Sequence, residues 1–457
     1  MQQNIIKQNL NKKWSLSQWI IVFFLIIAIF FTGYKFFQIK SKQDVLPLGF
    51  RPISVEEEIN GYKAQLGKTK DNFIVLSKLA NSYIKQAKIT GDSSWYLLAE
   101  KSAKESLLRS PKNNYQAILI LASISMAKHD FTNAINLAEQ TKVSPNFFIS
   151  ALGIKFDAYI ALGKIGEADK VLNEIEKNLK EITRNSQIIN KDPIHLTRQA
   201  LVSFLIGDTK DANDKFILAI NNKYNTNEVK AWVYTIYSMF LSNSGKLKES
   251  EENVRFALNS ISNYIPAIVQ LSEIYKQKNE WNNVITLIKP IEEKISRSDL
   301  SIKLAEAYKA LNDINNFNFY IDKAEKTLIQ EKNSANFGHR RDYIKLLLYK
   351  NTPEDIKKSF EVAQEEKEIR KDWETLVVSI ETEIKNNKLN YAKDDLVLLK
   401  KQGIKNAQIE YLNGLLAEKE KLPKKDIIAY YKKALEINPN FDYENSKYIN
   451  DFISKNK

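Results

Sequence analysis

Gly163-Lys164-Ile165-Gly166-Glu167-Ala168 decides the fold. Its first residue enters the left-handed backbone region cheaply and so stops a helix; five residues later a small side chain sits on the next one. The arrangement recurs about ten times. Small or apolar anchors stand at Ala99, Ala134, Ala168, Ala212, Ser250, Val284, Phe317, Ile356, Ala392 and Ile427, spaced 33 to 44 residues apart. Gly163, Gly207, Gly245, Asn279, Asn312, Asn351 and Asn387 each lie five residues before an anchor. Helix stops at a period near 34 predict stacked helical hairpins, an architecture whose output is a binding surface.

Within a unit, the anchor and the residues four and seven later share one helical face. Ala212/Phe216/Ala219 and Ile427/Tyr431/Ala434 are such triplets. Small members let paired helices approach, and larger ones fill the seam with the next unit. Ala122, Ala200 and Ala305, twelve residues before their anchors, supply the matching small residue on the first helix. Ser54 and Glu57 predict a capping box, and Asp71 a cap for the helix that follows. Extra residues near 177–193 and 330–350 predict longer second helices and loops, and Leu422-Pro423 stands where a Gly or Asn turn is expected.

Composition narrows the function. The 457 residues are 44% hydrophobic and carry a net charge of +13. Lys7, Lys12, Lys13, Lys35, Lys40 and Lys42 contribute six of those charges ahead of the first acid, Asp44. The remainder mixes both signs, as an ordinary solvated surface does. A binder of nucleic acid or another anionic polymer through this weakly basic surface is therefore the alternative reading, and a nucleic-acid partner is not expected. Cysteine is absent, which excludes disulfides and thiolate chemistry. His129, His195 and His339 are scattered, and no phosphate loop or nucleophile motif occurs. No catalytic residue, metal site or cofactor is expected, and the chain is not read as an enzyme. Trp95, Trp232, Trp281 and Trp373 fall near helix starts or turns; Trp232 is the candidate binding anchor.

Residues 14–34 hold no charge, and Trp14, Trp19 and Tyr34 lie near the ends. At about 1.5 Å per residue such a helix reaches about 31 Å, enough to cross a bilayer core. Its end lacks the small-x-small pair of a cleaved leader, so it reads as an uncleaved anchor. The expected organisation is a basic tail at 1–13, a transmembrane helix at 14–37, a linker at 38–53, the solenoid at 54–440 and a capping helix and tail at 441–457. The short basic tail favours a cytoplasmic amino terminus, with the array outside the cytoplasm.

The repeating unit resembles the tetratricopeptide repeat. Ile427-Ile428-Ala429-Tyr430-Tyr431-Lys432-Lys433-Ala434-Leu435-Glu436-Ile437-Asn438-Pro439 is similar to its second helix and terminal proline, and Tyr159, Tyr275 and Tyr308 to its first-helix aromatic. The whole chain looks similar to bacterial members that carry an amino-terminal signal or anchor, a group without an assigned activity. The resemblance implies an all-α, right-handed superhelical solenoid of about ten hairpins whose first helices line a concave groove. It places Leu119, Ser123, Met126, Asp157, Ile160, Leu201, Phe204, Thr235 and Met239 on that groove, with Trp232 beside them, and Glu273, Lys276, Glu306 and Lys309 further along. The implied role is a scaffold holding an apolar helix or peptide of a protein partner. The groove positions that carry lysine in carboxylate-clamp members are here Leu119, Gly153, Thr197 and Thr235, so an acidic peptide terminus is not the expected ligand.

Overall fold

The computed structural model describes residues 54–456 except 145–146, 184–191, 223–225, 296 and 335–338. The anchor expected at 14–37, with its tail and linker, lies outside the described residues. Among those described, no helix is long and apolar enough to cross a membrane. Backbone contacts divide the chain between Glu57 and Glu58. The described end of the smaller unit is the capping box: Ser54 N–H donates to Glu57 Oε2 (2.9 Å), and Glu57 N–H to Ser54 Oγ (3.1 Å).

The described residues form 22 helices and no strand. A lead helix, α1 (Val55–Lys68), precedes ten hairpins. Hairpin 1 pairs α2 (Phe73–Thr90) with α3 (Ser94–Arg109), hairpin 2 α4 (Tyr115–Ala127) with α5 (Phe131–Thr141), and hairpin 3 α6 (Phe148–Ala161) with α7 (Ile165–Thr183). Hairpin 4 is α8 (Pro193–Leu205) and α9 (Thr209–Ile220); hairpin 5 is α10 (Asn227–Asn243) and α11 (Leu247–Ser260). Hairpins 6 and 7 follow as α12 (Ile265–Gln277) with α13 (Trp281–Glu292) and α14 (Ser298–Ala310) with α15 (Ile314–Ser334). Hairpin 8 joins α16 (Arg340–Lys350) to α17 (Pro353–Ile369), and hairpin 9 joins α18 (Trp373–Lys385) to α19 (Leu389–Gln402). Hairpin 10, α20 (Ala407–Lys419) and α21 (Lys424–Ile437), is closed off by α22 (Tyr443–Lys455).

From α2 onward each helix packs on the next in chain order, and most first helices also touch the first helix of the following hairpin. That one-dimensional order defines a solenoid. Eight anchors, including Ala99, Ala212 and Ser250, are buried, while Phe317 and Ile356 stay half-buried at the larger-residue units. Gly163, Gly207, Gly245, Asn279, Asn312, Asn351 and Asn387 all adopt positive φ, between 57° and 83°. His129 occupies the same turn position in hairpin 2 (φ 58°), and Lys421 rather than Leu422 takes it in hairpin 10 (φ 58°). One cap differs from expectation. Asn72 rather than Asp71 starts α2, its side chain accepting from Ile74 and Val75 N–H, because Asp71 turns outward to Arg109 (3.2 Å).

The repeat leaves little room at its tightest contact. A Cβ on Gly414 would lie 2.2 Å from the ring of Tyr431, which is fully buried. The ring cannot retreat, so Gly414→Ala is expected to lower stability by about 2–3 kcal/mol, read as a shift of the denaturation midpoint.

The solenoid also closes on itself, in register. The turns inside hairpins 1, 3, 4 and 5 each lie against the connection five hairpins further on. Gly91 sits over the Arg297 guanidinium, which a Cβ there would overlap at 1.7 Å. Gly163 sits over the carbonyl of Lys371, and Gly207 over that of Gly403. Lys405 Nζ donates to Gly207 O (3.1 Å) and Asn438 Nδ2 to Ser242 O (2.7 Å), each from nearly 200 residues away. Asn406 Nδ2 reaches Asn243 Oδ1 at 3.3 Å. One apolar core runs through this seam, joining Phe204, Phe216, Tyr237 and Phe240 to Leu376, Ile404, Tyr411 and Tyr431. The two edges of the ribbon therefore meet, and an expected open groove becomes an enclosed lumen.

Candidate functional site

Four consecutive first helices, α4, α6, α8 and α10, bring Met126, Asp157, Ile160, Leu201, Phe204 and Met239 to one cavity of about 370 Å³. These six are among the residues the sequence placed on the groove. Helical spacing puts them there: each lies on the face opposite the small residues that pack against the second helix. Leu119 and Ser123 are half-buried outside the lining, Ser123 donating to Leu119 O (3.1 Å). Thr235 is buried with its hydroxyl on Ala231 O (2.6 Å). Trp232 packs against Leu196, Ala219 and Val233, away from the cavity.

The opposite wall comes from the next superhelical turn, which sequence reasoning missed. Arg341, Arg370, Asp372, Trp373 and Glu374 face the six across more than a hundred intervening residues. Nothing in the local period announces this pairing, because it depends on how many hairpins complete a turn. Arg341 Nη1 donates to Asp372 Oδ1 (3.1 Å) and Glu374 Oε2 (2.7 Å). Burial opposes the charge on Arg341, but Glu374 and Asp372 outweigh it and raise its pKa further. Arg370 is held by the buried carboxylate of Glu366. Asp157 takes a two-pronged bond from Arg198 (3.1 and 3.0 Å), and Gly153 makes room for that guanidinium.

His129 completes the rim. Its ring stacks on Phe131 (5.5 Å between centroids), and its Nδ1 is buried without a hydrogen-bond partner. Burial, then Arg370, Arg341, His339 and Arg340, push its pKa down to about 3.

Further along the concave wall, Glu273, Lys276, Lys303 and Glu306 form a closed set of charges. Lys303 bonds Glu273, Lys276 bonds Glu306 (2.7 Å), the Tyr349 hydroxyl also donates to Glu306, and Lys276 approaches Asp442 at the start of α22 (3.8 Å). Burial pushes the Glu273 carboxyl up, but Lys303 and Lys276 overcome this and hold it at about 2. Lys309 lies over the rings of Phe317 and Tyr349 (5.6 and 5.5 Å). Among the described residues, no group of three or more His, Asp and Glu could hold a metal ion.

No protein-family model matches the chain, and no curated protein matches it. Among solved structures it is similar to a chain of the crystal structure of the APC/C hetero-tetramer Cut9-Hcn1, at 13% identity. That likeness covers 87% of this chain and 93% of the other, with a TM-score of 0.32.

Proposed function

We propose that the protein is a membrane-tethered interaction scaffold whose lumen receives an apolar segment of a protein partner. One observation carries the reading: five apolar side chains from four successive hairpins, Met126, Ile160, Leu201, Phe204 and Met239, converge on one cavity whose charged rim is already paired. Such a site grips apolar side chains and uses its few polar groups for orientation. The partner presents an apolar helix or peptide segment to it. The tether is residues 14–37, with the solenoid on the extracytoplasmic side. Binding of an anionic polymer draws no support from the concave charges, which neutralise one another.

A photo-crosslinking residue at Met239, which is partly exposed on the cavity, tests the proposal in cells. A single protein band that disappears in Leu201→Glu is the expected result. Labelling at Leu108, on the convex side of hairpin 1, should not give that band. If Met239 and Leu108 capture the same proteins, the lumen is not the binding site.

A further inference from the structure

The turns of hairpins 1, 3, 4 and 5 lie under the next winding, but those of hairpins 9 and 10 stand on an edge that no later winding meets. In hairpin 10 every residue from Lys419 to Asp426 is exposed, and the run reads Lys-Glu-Lys-Leu-Pro-Lys-Lys-Asp. Lys421 takes the positive-φ position, and Leu422 N–H donates to Ala417 O (3.0 Å), which fixes the tip. Leu422 is 41% exposed there, between two pairs of lysines.

Lysines at other turns are paired. Lys128 bonds Glu100 of the preceding hairpin (2.6 Å), Lys278 bonds Glu251, and Lys350 bonds Glu325 (3.1 Å). Each stands one residue before its positive-φ position. In hairpin 10 that place belongs to Glu420, and the preceding hairpin offers Lys393 (3.7 Å), so the rung is reversed in sign. Glu420 is thus taken, and within the run Asp426 alone offsets Lys419, Lys421, Lys424 and Lys425. Among the described residues, none of these four side chains forms an ion pair or hydrogen bond, and neither does Lys388 at the neighbouring turn of hairpin 9. Five like charges are therefore gathered on one edge without neutralisation.

The shape of the patch selects its partner. A nucleic-acid strand or an acidic peptide is held in a groove, whereas this tip protrudes. A plane of lipid headgroups accepts a protrusion, with ammonium groups at the phosphates and the apolar side chain at the acyl boundary. The chain can bring it there. Glu58 of α1 bonds Ser82 and Lys85 near the turn end of α2. The uncovered edge lies one winding further, about 20 Å for a helix of this length, and residues 38–53 can span up to about 55 Å. We propose that this edge docks on an anionic lipid surface through Lys388, Lys419, Lys421, Lys424 and Lys425, with Leu422 as the inserted tip. The inference rests on the tether proposed above and not on the lumen. Tethering keeps the patch at high local concentration over the bilayer, so contacts that are weak singly suffice.

The absence of native cysteine makes a direct test possible. An environment-sensitive fluorophore at Leu422→Cys, in the full chain, is compared with the same fluorophore at Leu108→Cys, which is 77% exposed on hairpin 1. Both chains should float with vesicles of phosphatidylcholine alone, and neither label should shift. With phosphatidylglycerol added, the Leu422 label alone should move to the blue, and 0.5 M salt should reverse it. Each lysine removed lowers the docked-to-free ratio about five-fold. At the lipid mixture that half-docks the parent, Lys424→Gln with Lys425→Gln should therefore lower that ratio about 30-fold, and an unchanged helical spectrum certifies the fold. No shift with phosphatidylglycerol overturns the proposal, as do equal shifts in both lipids or in the lysine variant. A Leu422 label that answers to single-stranded RNA while ignoring phosphatidylglycerol also overturns it, in favour of nucleic acid. Failure to float with phosphatidylcholine would instead remove the tether, so the two readings fail separately.

Discussion

Replacing Gly163 by Asn is expected to destabilise the solenoid by about 3 kcal/mol, while Asn387→Gly, at the equivalent turn of hairpin 9, changes it by less than about 0.5 kcal/mol. Both residues adopt the left-handed conformation, at φ 70° and 57°, and Asn tolerates it nearly as well as Gly does. Turn geometry alone therefore predicts two small effects. The difference comes from the seam. A Cβ at Gly163 would lie 2.3 Å from the Lys371 carbonyl oxygen, and a backbone atom cannot rotate away. Asn387 is exposed, with no later superhelical turn to meet it. Urea denaturation of both variants beside the parent measures the contrast, and equal midpoints would remove the seam from the account.

Lys367→Met carries the second large effect, a loss of about 3–5 kcal/mol at pH 8 that shrinks as the pH falls. Lys367 Nζ donates to Glu383 (2.6 Å) and Asp395 (2.7 Å), and the Glu383 side chain has no exposed surface. Gln364 adds a bond to the same carboxylate (3.0 Å). Even with its lysine present, burial and then Asp395 keep the Glu383 pKa above its ordinary 4.5. Without Lys367 it must rise further, so folding takes up a proton. A carboxyl raised in the folded state costs stability above its unfolded pKa, and that cost fades as the pH falls towards 4.5. Lys367→Met combined with Glu383→Leu should recover most of the loss, since a well-packed apolar pair substitutes adequately for a buried ion pair. Denaturation midpoints at pH 8 and pH 5 decide it; a loss independent of pH would mean that lost packing over Tyr391, not an orphaned carboxylate, is responsible.

The repeat was legible because its signals are local. Helix stops, small anchors and amphipathic faces act within one hairpin, and Ala99, Ala168 and Ala212 pack as their spacing requires. The insertion before His195 is legible in the same way, since α7 runs 19 residues where α9 runs 12. Half of the cavity was legible too: Met126, Ile160 and Leu201 follow from the face of a first helix. Arg341, Arg370 and Trp373 do not, because they arrive by winding rather than by spacing.

One trace of the winding is nevertheless written in the chain. The turns of hairpins 1, 3, 4 and 5 carry Gly91, Gly163, Gly207 and Gly245, whereas those of hairpins 6 to 9 carry Asn279, Asn312, Asn351 and Asn387. The first set lies buried or half-buried under a later connection, and the second is exposed. Either residue stops a helix, but only glycine admits another backbone against it. The change from Gly to Asn between hairpins 5 and 6 marks where the first superhelical turn stops being covered. His129, in hairpin 2, is the exception.

Bridging residues 243 and 406 tests the closed winding most directly. With Asn243→Cys and Asn406→Cys as the only cysteines, a short bis-maleimide, which adds one thiol at each end, should link them rapidly within one molecule, as the 3.3 Å contact of the native side chains requires. Peptide mapping that finds no such link, or finds it only between molecules, would show an open ribbon whose edges never meet.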